Sequence, residues 1–156
     1  MWILKGGNIM KNTIKKLQEL QQDTIYFEKK TNNKVEAILK SIGCEFYPEQ
    51  LVEFYSSYEF ARFSADDILS LEEIENELES FADFIDAMGI DNAEDHYVPF
   101  GLDGMGGYYA FISNKKDEAV YWLDHENPDE LNKFENFNSF LQDRYECEVY
   151  IMEEYE

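Results

Sequence analysis

Residues 97–123 read Tyr97-Val98-Pro99-Phe100-Gly101-Leu102-Asp103-Gly104-Met105-Gly106-Gly107-Tyr108-Tyr109-Ala110-Phe111-Ile112-Ser113-Asn114-Lys115-Lys116-Asp117-Glu118-Ala119-Val120-Tyr121-Trp122-Leu123. Three short apolar runs alternate with turn-forming clusters, the signature of an antiparallel meander. Residues 97–100 lead into a glycine-rich turn over 101–107. Tyr108 to Ile112 forms a strand, 114–118 a charged hairpin loop, and Ala119 to Leu123 the partner strand. Side chains alternate along a strand. Tyr108, Ala110 and Ile112 therefore share one face, and Tyr109 and Phe111 the other. Ala119, Tyr121 and Leu123 are likewise divided from Val120 and Trp122. An antiparallel sheet commonly keeps one face partly open, so at least one of Tyr108, Tyr109, Tyr121 and Trp122 is expected at the surface.

Upstream, the period is helical. Ser70-Leu71-Glu72-Glu73 is a capping box. Leu71, Ile74, Leu78, Phe81, Ile85 and Met88 then make one apolar stripe along a helix of about 27 Å, at 1.5 Å per residue. Further back, Met10 to about Gln22 reads as an amphipathic helix bearing Ile14, Leu17 and Leu20. Asn33, with Glu36 three residues on, caps a helix carrying Val35, Ile38, Leu39 and Ile42, and Gly43 stops it. Pro48 opens the next helix at its first position, with Leu51, Phe54, Tyr55 and Tyr58 on its apolar face. Residues 60–63 and 68–69 are extended. Downstream, Pro128 breaks the chain and Asn136 caps a last helix with Phe137, Phe140, Leu141 and Tyr145. Residues 147–156 fit a helix continuation or an edge strand equally. Helices, then a small antiparallel sheet, then a helix make an α+β fold, with a small central, mostly antiparallel sheet and helices packed around it.

The length of 156 residues fits one domain. The 12 Phe, 11 Tyr and 2 Trp supply a core that a disordered acidic tail lacks. Thirteen Lys and Arg against 34 Asp and Glu leave a net charge of −21. That charge opposes sequence-independent nucleic-acid binding, which depends on phosphate neutralisation, and docking on anionic membranes. The charge is uneven: residues 1–43 hold 8 Lys and 4 acids, whereas 44–156 hold 5 basic residues and 30 acids. No apolar run approaches a membrane span, and the N-terminus lacks the apolar stretch of a signal peptide. Cys44 and Cys147 form no CxxC pair and no metal-ligand spacing, so reduced thiols in a cytoplasmic protein are expected.

Little in the chain resembles catalytic machinery. The glycine-rich loop 101–107 runs into a strand rather than a helix and lacks the Lys-Ser/Thr of a phosphate-binding loop. His96 stands beside Asp95, and His125 between Asp124 and Glu126. Two histidines with no third ligand motif make no metal site, and no GxSxG supports a nucleophile. A small hydrolase using His125 with Asp124 or Glu126 is the remaining catalytic reading. The helix 71–88 carries Glu72, Glu73, Glu75, Glu77, Glu79, Asp83 and Asp86 opposite its apolar stripe. Pairs such as Glu75/Glu79 and Glu79/Asp83 each cost the helix a few tenths of a kcal/mol. The face is either simply solvated or kept for a partner that offsets that cost.

The order Pro99-Phe100-Gly101-x-Asp103-Gly104-x-Gly106-Gly107-x-Tyr109, then Val120-Tyr121-Trp122-x-Asp124-His125-Glu126, resembles the SUKH superfamily, the Smi/Knr-like proteins. The helix start Gly43-Cys44-Glu45-Phe46-Tyr47-Pro48-Glu49-Gln50-Leu51 and the later Phe137-Asn138-Ser139-Phe140-Leu141 fit the same pattern, so the likeness covers about residues 33–145. It implies a non-catalytic binding domain needing no cofactor or metal. Bacterial members serve mainly as immunity proteins of polymorphic toxin systems, which implies a cognate toxin, often a nuclease, as partner. Fungal relatives imply the alternative, an intracellular regulatory binding module without a toxin.

Two toxin-binding surfaces are expected. One is the helix face of Glu72, Glu75, Glu79 and Asp83. The other is the sheet end with Asp103, Asp124, His125 and Glu126, together with the aromatics Tyr108, Tyr109 and Trp122. Asp124 and His125 also have a plain alternative role in capping the turn before Pro128. Lys5-Gly6-Gly7 can be encoded as a ribosome-binding element ahead of Met10, so residues 1–9 are expected to be a loose translated leader of the single domain. Intact mass of protein expressed from its native locus should then show a chain beginning at Met10; a dominant species beginning at Met1 rules that out.

Overall fold

The computed structural model describes residues 6–30, 34–90, 94–127 and 132–154. Their order is α1 (Gly6–Glu19), β1 (Tyr26–Lys29), α2 (Val35–Ser41), α3 (Glu49–Ser57), β2 (Tyr58–Arg62), β3 (Asp67–Ile68), α4 (Leu71–Met88), β4 (Tyr97–Leu102), β5 (Tyr108–Ile112), β6 (Val120–Leu123), β7 (Asn132–Phe134) and α5 (Phe137–Glu154). The seven strands pair in sequence order, each antiparallel to the next. The fold is α+β, as its period changes predict.

The expected hairpin pairs in the expected register, with Tyr109 opposite Trp122 and Ala110 opposite Tyr121. Its alternation divides the interior in two. Tyr109, Phe111 and Val120 join the main core with Phe54, Phe100, Phe137 and Phe140, residues of α3, β4 and α5. Tyr108, Ala110, Ile112, Tyr121 and Leu123 form a second cluster with Phe81, against which Phe84 and Ile85 of α4 also pack. Neither face of β5 is open. Tyr108 is 7%, Tyr109 2% and Tyr121 5% exposed, and Trp122 is half-buried. The expectation of a partly open hairpin face is corrected by α4. Its Phe81 and Phe84 rings both meet Tyr108 edge-on at 4.9 Å.

Several boundaries move for local reasons. α1 starts at Gly6 and takes in residues assigned to the loose leader; residues 1–5 lie outside the described residues. Its stripe is Met10, Ile14 and Leu17, all buried. Asn33, the expected cap of α2, lies outside the described residues, and the cap position falls at Lys34. Gly43 follows that helix with φ +96°, as a stop should. Pro48 stands one position earlier than expected, as the N-cap of α3, and Tyr58 begins β2 instead of continuing that helix. Asn136 accepts from the Ser139 N–H at 2.8 Å and so caps α5. The ambiguous tail is helical to Glu154. Strands β1 and β7 are absent from the sequence reading. β7 is three residues long, and β1 is a four-residue edge strand whose Phe27 alone is buried.

The α4 cap is the predicted box. The Ser70 side chain accepts from the Glu73 N–H at 3.1 Å, and Glu73 Oε1 accepts from the Ser70 N–H at 3.0 Å. Arg62 donates to both Glu73 oxygens, at 3.2 and 3.1 Å. Burial pushes the Glu73 carboxyl up, but the Ser70 N–H and the Arg62 guanidinium outweigh it and hold it below its ordinary value. A lowered folded pKa gives stability that is complete above the unfolded value and is lost as pH falls through the folded one. Ser70→Ala should therefore cost about 1 kcal/mol at neutral pH. Urea unfolding between about pH 5 and pH 3 should show the wild type losing more stability than Glu73→Gln, which has no carboxyl to protonate.

Candidate functional site

The loop 101–107 is built around one carboxylate. Asp103 Oδ1 accepts from the N–H groups of Met105 and Gly107, each at 2.8 Å, and Oδ2 accepts from the Trp122 indole at 2.9 Å. The loop's inward N–H groups thus hold the protein's own carboxylate instead of a phosphate. Its glycines follow from the same closure. A Cβ at Gly104, where φ is +75°, would stand 2.2 Å from the Ala65 carbonyl oxygen, and one at Gly107 would stand 2.3 Å from Asp103 Oδ2. Met105, between them, is 64% exposed.

This geometry redistributes the expected site residues. Asp103 is buried and faces inward, so it cannot meet a partner. Tyr108 donates its hydroxyl to Glu77 at 2.8 Å from within the second cluster. Tyr109 lies in the main core, and Trp122 is tied to Asp103. Tyr108 and Tyr109 are withdrawn as anchors, because packing from α4 and α5 uses both sides of the hairpin, whereas Trp122 is only half-buried. Asp124 takes the turn-capping role: its carboxylate accepts from the Glu126 N–H at 3.0 Å and the Asn127 amide at 3.2 Å. His125 Nδ1 is 4.0 Å from Asp124 Oδ1, too far for a hydrogen bond, and the atom has no hydrogen-bond partner among the described residues. That spacing gives a His–carboxylate base no support. Glu126 is exposed.

The helix face is placed as expected. Glu72, Glu75, Glu79 and Asp83 are all exposed along α4. None of them makes a hydrogen bond or ion pair within the described chain, whereas Glu73 and Glu77 of the same helix do. The four carboxylates therefore face outward, and no cation among the described residues pairs with them.

A second polar centre escapes the sequence reading. Arg144 of α5 is buried, and its Nη1 donates to Asp66 and, at 2.7 Å, to the Tyr109 hydroxyl. Tyr109 in turn donates to Asp66 Oδ1 at 2.9 Å. The guanidinium lies 5.2 Å from the Tyr109 ring centre and 5.3 Å from that of Phe140. Burial pushes the Asp66 carboxyl up, and the guanidinium pulls against it. One turn further along α5, buried Glu148 accepts from the Ser64 N–H at 2.8 Å and from its hydroxyl. The inner stripe of α5 thus passes from Phe137, Phe140 and Leu141 to Arg144 and Glu148. The available signal was spacing: 137, 141, 144 and 148 follow the i, i+3, i+4 rule although the last two are charged. Among the described residues no group of His, Cys, Asp and Glu is arranged to hold a metal. Burial raises the Cys44 thiol to about 11, which leaves it a weak nucleophile.

Removing one partner of a buried pair leaves an uncompensated charge, at about 3–5 kcal/mol. Arg144→Met should therefore destabilise the fold by that order. The double variant Arg144→Met/Asp66→Leu should recover more than half of the loss in urea unfolding. A double variant no more stable than the single would show that Asp66 is not the group left stranded.

No helix among the described residues is long and apolar enough to cross a membrane. Comparison with curated proteins finds no match. The family model described as SMI1-KNR4 cell-wall, SUKH_5, matches residues 10–146. The match takes in α1 from Met10 onward, the Asp103-centred loop, the hairpin and the start of α5 through Arg144, and the chain belongs to the SUKH superfamily of Smi/Knr-like proteins.

Proposed function

We propose that this protein is an immunity protein of the bacterial cytoplasm that binds a cognate polymorphic toxin, a basic nuclease, and neutralises it by direct contact. Domains of this family serve generally as binding modules and often as immunity proteins. The observation that carries the reading is the exposed, unpaired row Glu72, Glu75, Glu79 and Asp83 on a helix whose inner side is fully used. Like charges spaced along one helix lower its stability, and the net charge of −21 exceeds the magnitude of about 2–8 that keeps a small domain soluble. A cationic partner offsets both costs. Complementary fields raise association to about 10⁸–10⁹ M⁻¹s⁻¹ at low salt. His125 and Glu126 at the sheet end form the second candidate contact. The regulatory-module alternative shares this surface and differs in the partner; a toxin gene beside this one favours immunity.

Reversing Glu72, Glu75 and Glu79 to Lys changes the net charge from −21 to −15. With the toxin domain encoded beside this gene, stopped-flow association at about 50 mM salt, where the Debye length is about 14 Å, should slow. Its salt dependence should flatten, and stability should hold or rise slightly. Unchanged association kinetics would remove the helix face and leave the sheet end. His125→Ala should leave protection intact; its loss together with a hydrolytic activity would favour the enzyme reading.

A further inference from the structure

The β2–β3 turn and the C-terminal half of α5 enclose a groove of about 420 Å³. Its walls are Ala65 and Asp66 on one side, and Asp143, Glu146, Cys147, Glu148, Tyr150 and Ile151 on the other. We propose that this groove is the docking site for a partner segment that presents a lysine or arginine next to an apolar side chain.

Three observations carry the assignment. First, the groove is apolar where it is open. Tyr150 is 63% exposed at its edge, and Ile151 is half-buried beside it. Tyr is among the residue types that anchor interfaces, since it offers a large rigid surface at small entropic cost. Second, its charge is one-sided. Four of its lining residues are acids and none is a base. Arg144, the cation beneath, is spent on Asp66, Tyr109 and Asp143. Glu146 is exposed and makes no hydrogen bond or ion pair among the described residues. A cation entering the groove therefore meets uncompensated negative charge, whereas an acidic or purely apolar segment does not gain from it. Third, the walls are fixed before binding. Asp66 is held by Arg144 and Tyr109, Ser64 by Glu148, and Ala65 lies against Gly104. Preformed walls lower the ordering cost of association.

For the identity of the partner the proposal rests on the neutralisation reading, but the groove can be tested without it. Isotope-labelled full-length protein is titrated with acetyl-Leu-Lys-Trp-Lys-Leu-amide, and amide shifts are followed by NMR. Acetyl-Gly-Lys-Gly-Lys-Gly-amide and acetyl-Leu-Ser-Trp-Ser-Leu-amide control for charge alone and apolarity alone. Saturable shifts are expected at residues 64–66 and 143–151, with both controls weaker by about tenfold or more. Tyr150→Ser and Glu146→Lys should each weaken binding by a similar factor, while Glu75→Lys, an equal charge change on α4, should not. Largest shifts on α4, or equal binding of the lysine-only control, would overturn the groove. A concentration-dependent dimer abolished by Tyr150→Ser would overturn it too, by assigning the groove to a second copy. With the neighbouring toxin domain, the groove variants should speed dissociation. A toxin held normally by Tyr150→Ser but slowed in association by the α4 reversals overturns the groove and keeps neutralisation. A toxin that does not bind the wild type overturns neutralisation, and the peptide titration still decides the groove.

Discussion

Four residues between β2 and β3, Phe63 to Asp66, hold the two ends of the fold together. The turn closes on itself through the Phe63 N–H and the Asp66 carbonyl at 2.8 Å. Asp66 then takes Arg144, and Ser64 takes Glu148, so two charged residues of α5 are buried against one turn. Ala65 receives the tip of the β4–β5 loop at Gly104. Removing a charge pair from water costs several kcal/mol per ion and is repaid only with good geometry and further hydrogen bonds. Here the Tyr109 hydroxyl supplies further bonds to both Asp66 and Arg144, and the Ser64 N–H separately satisfies Glu148. The pair need not be more stabilising than an apolar replacement. Its effect is on register: an α5 rotated or shifted by one residue would leave both charges buried without partners.

That register sets the conditions for the hairpin. Phe140 meets Tyr109 at 4.7 Å and Phe100 at 5.4 Å, so α5 covers one face of β4 and β5. α4 covers the other through Phe81 and Phe84. With both faces occupied, the glycine-rich loop must close on groups of its own. It does so by folding Asp103 inward onto its own N–H groups. The family-like motif is therefore the record of a packing problem. Gly101, Gly104 and Gly107 mark close approaches and Gly106 a positive φ, the motif's aspartate fills the loop, and its tryptophan donates to that aspartate.

How much of this was legible depends on which interactions are local. The capping box at Ser70 and Glu73, the stop at Gly43, the Asn136 cap and the hairpin register each depend on residues close in sequence, and each could be read directly. The alternation of Tyr108 to Ile112 was legible as well. The elements that cover each face were not, because α4 reaches the sheet from about 30 residues away in the chain. The Arg144–Asp66 contact spans 78 positions, and no periodicity announces which aspartate an arginine will find. β1 escaped because only Phe27 of its four residues is buried, too little for an alternating pattern. Among the candidate site residues, those on the helix exterior were legible from spacing alone. Of those near the motif, Asp103, Tyr108 and Tyr109 were misplaced, because motif residues that close a loop resemble residues that present a surface.

The distinction between closing and presenting bears on how a domain of this kind can change partners while keeping its fold. Asp103 with Trp122, and Tyr109 with Asp66 and Arg144, form two hydrogen-bonded sets that meet at the Tyr109–Trp122 ring contact of 6.3 Å, all buried or half-buried, so substitution at any of them is felt within its set. Glu72, Glu75, Glu79, Asp83 and Glu146 are exposed and make no hydrogen bond or ion pair among the described residues. Surface substitutions away from buried features usually alter stability by less than about 0.5 kcal/mol, so these exposed charges can vary without disturbing the bonds beneath them. Association and dissociation are separable in the same way. Exposed carboxylates act on encounter through a field that salt screens, whereas an aromatic side chain seated in a preformed groove acts on residence. A protein that carries both kinds of surface on one rigid frame can adjust how fast it meets a partner independently of how long it holds on.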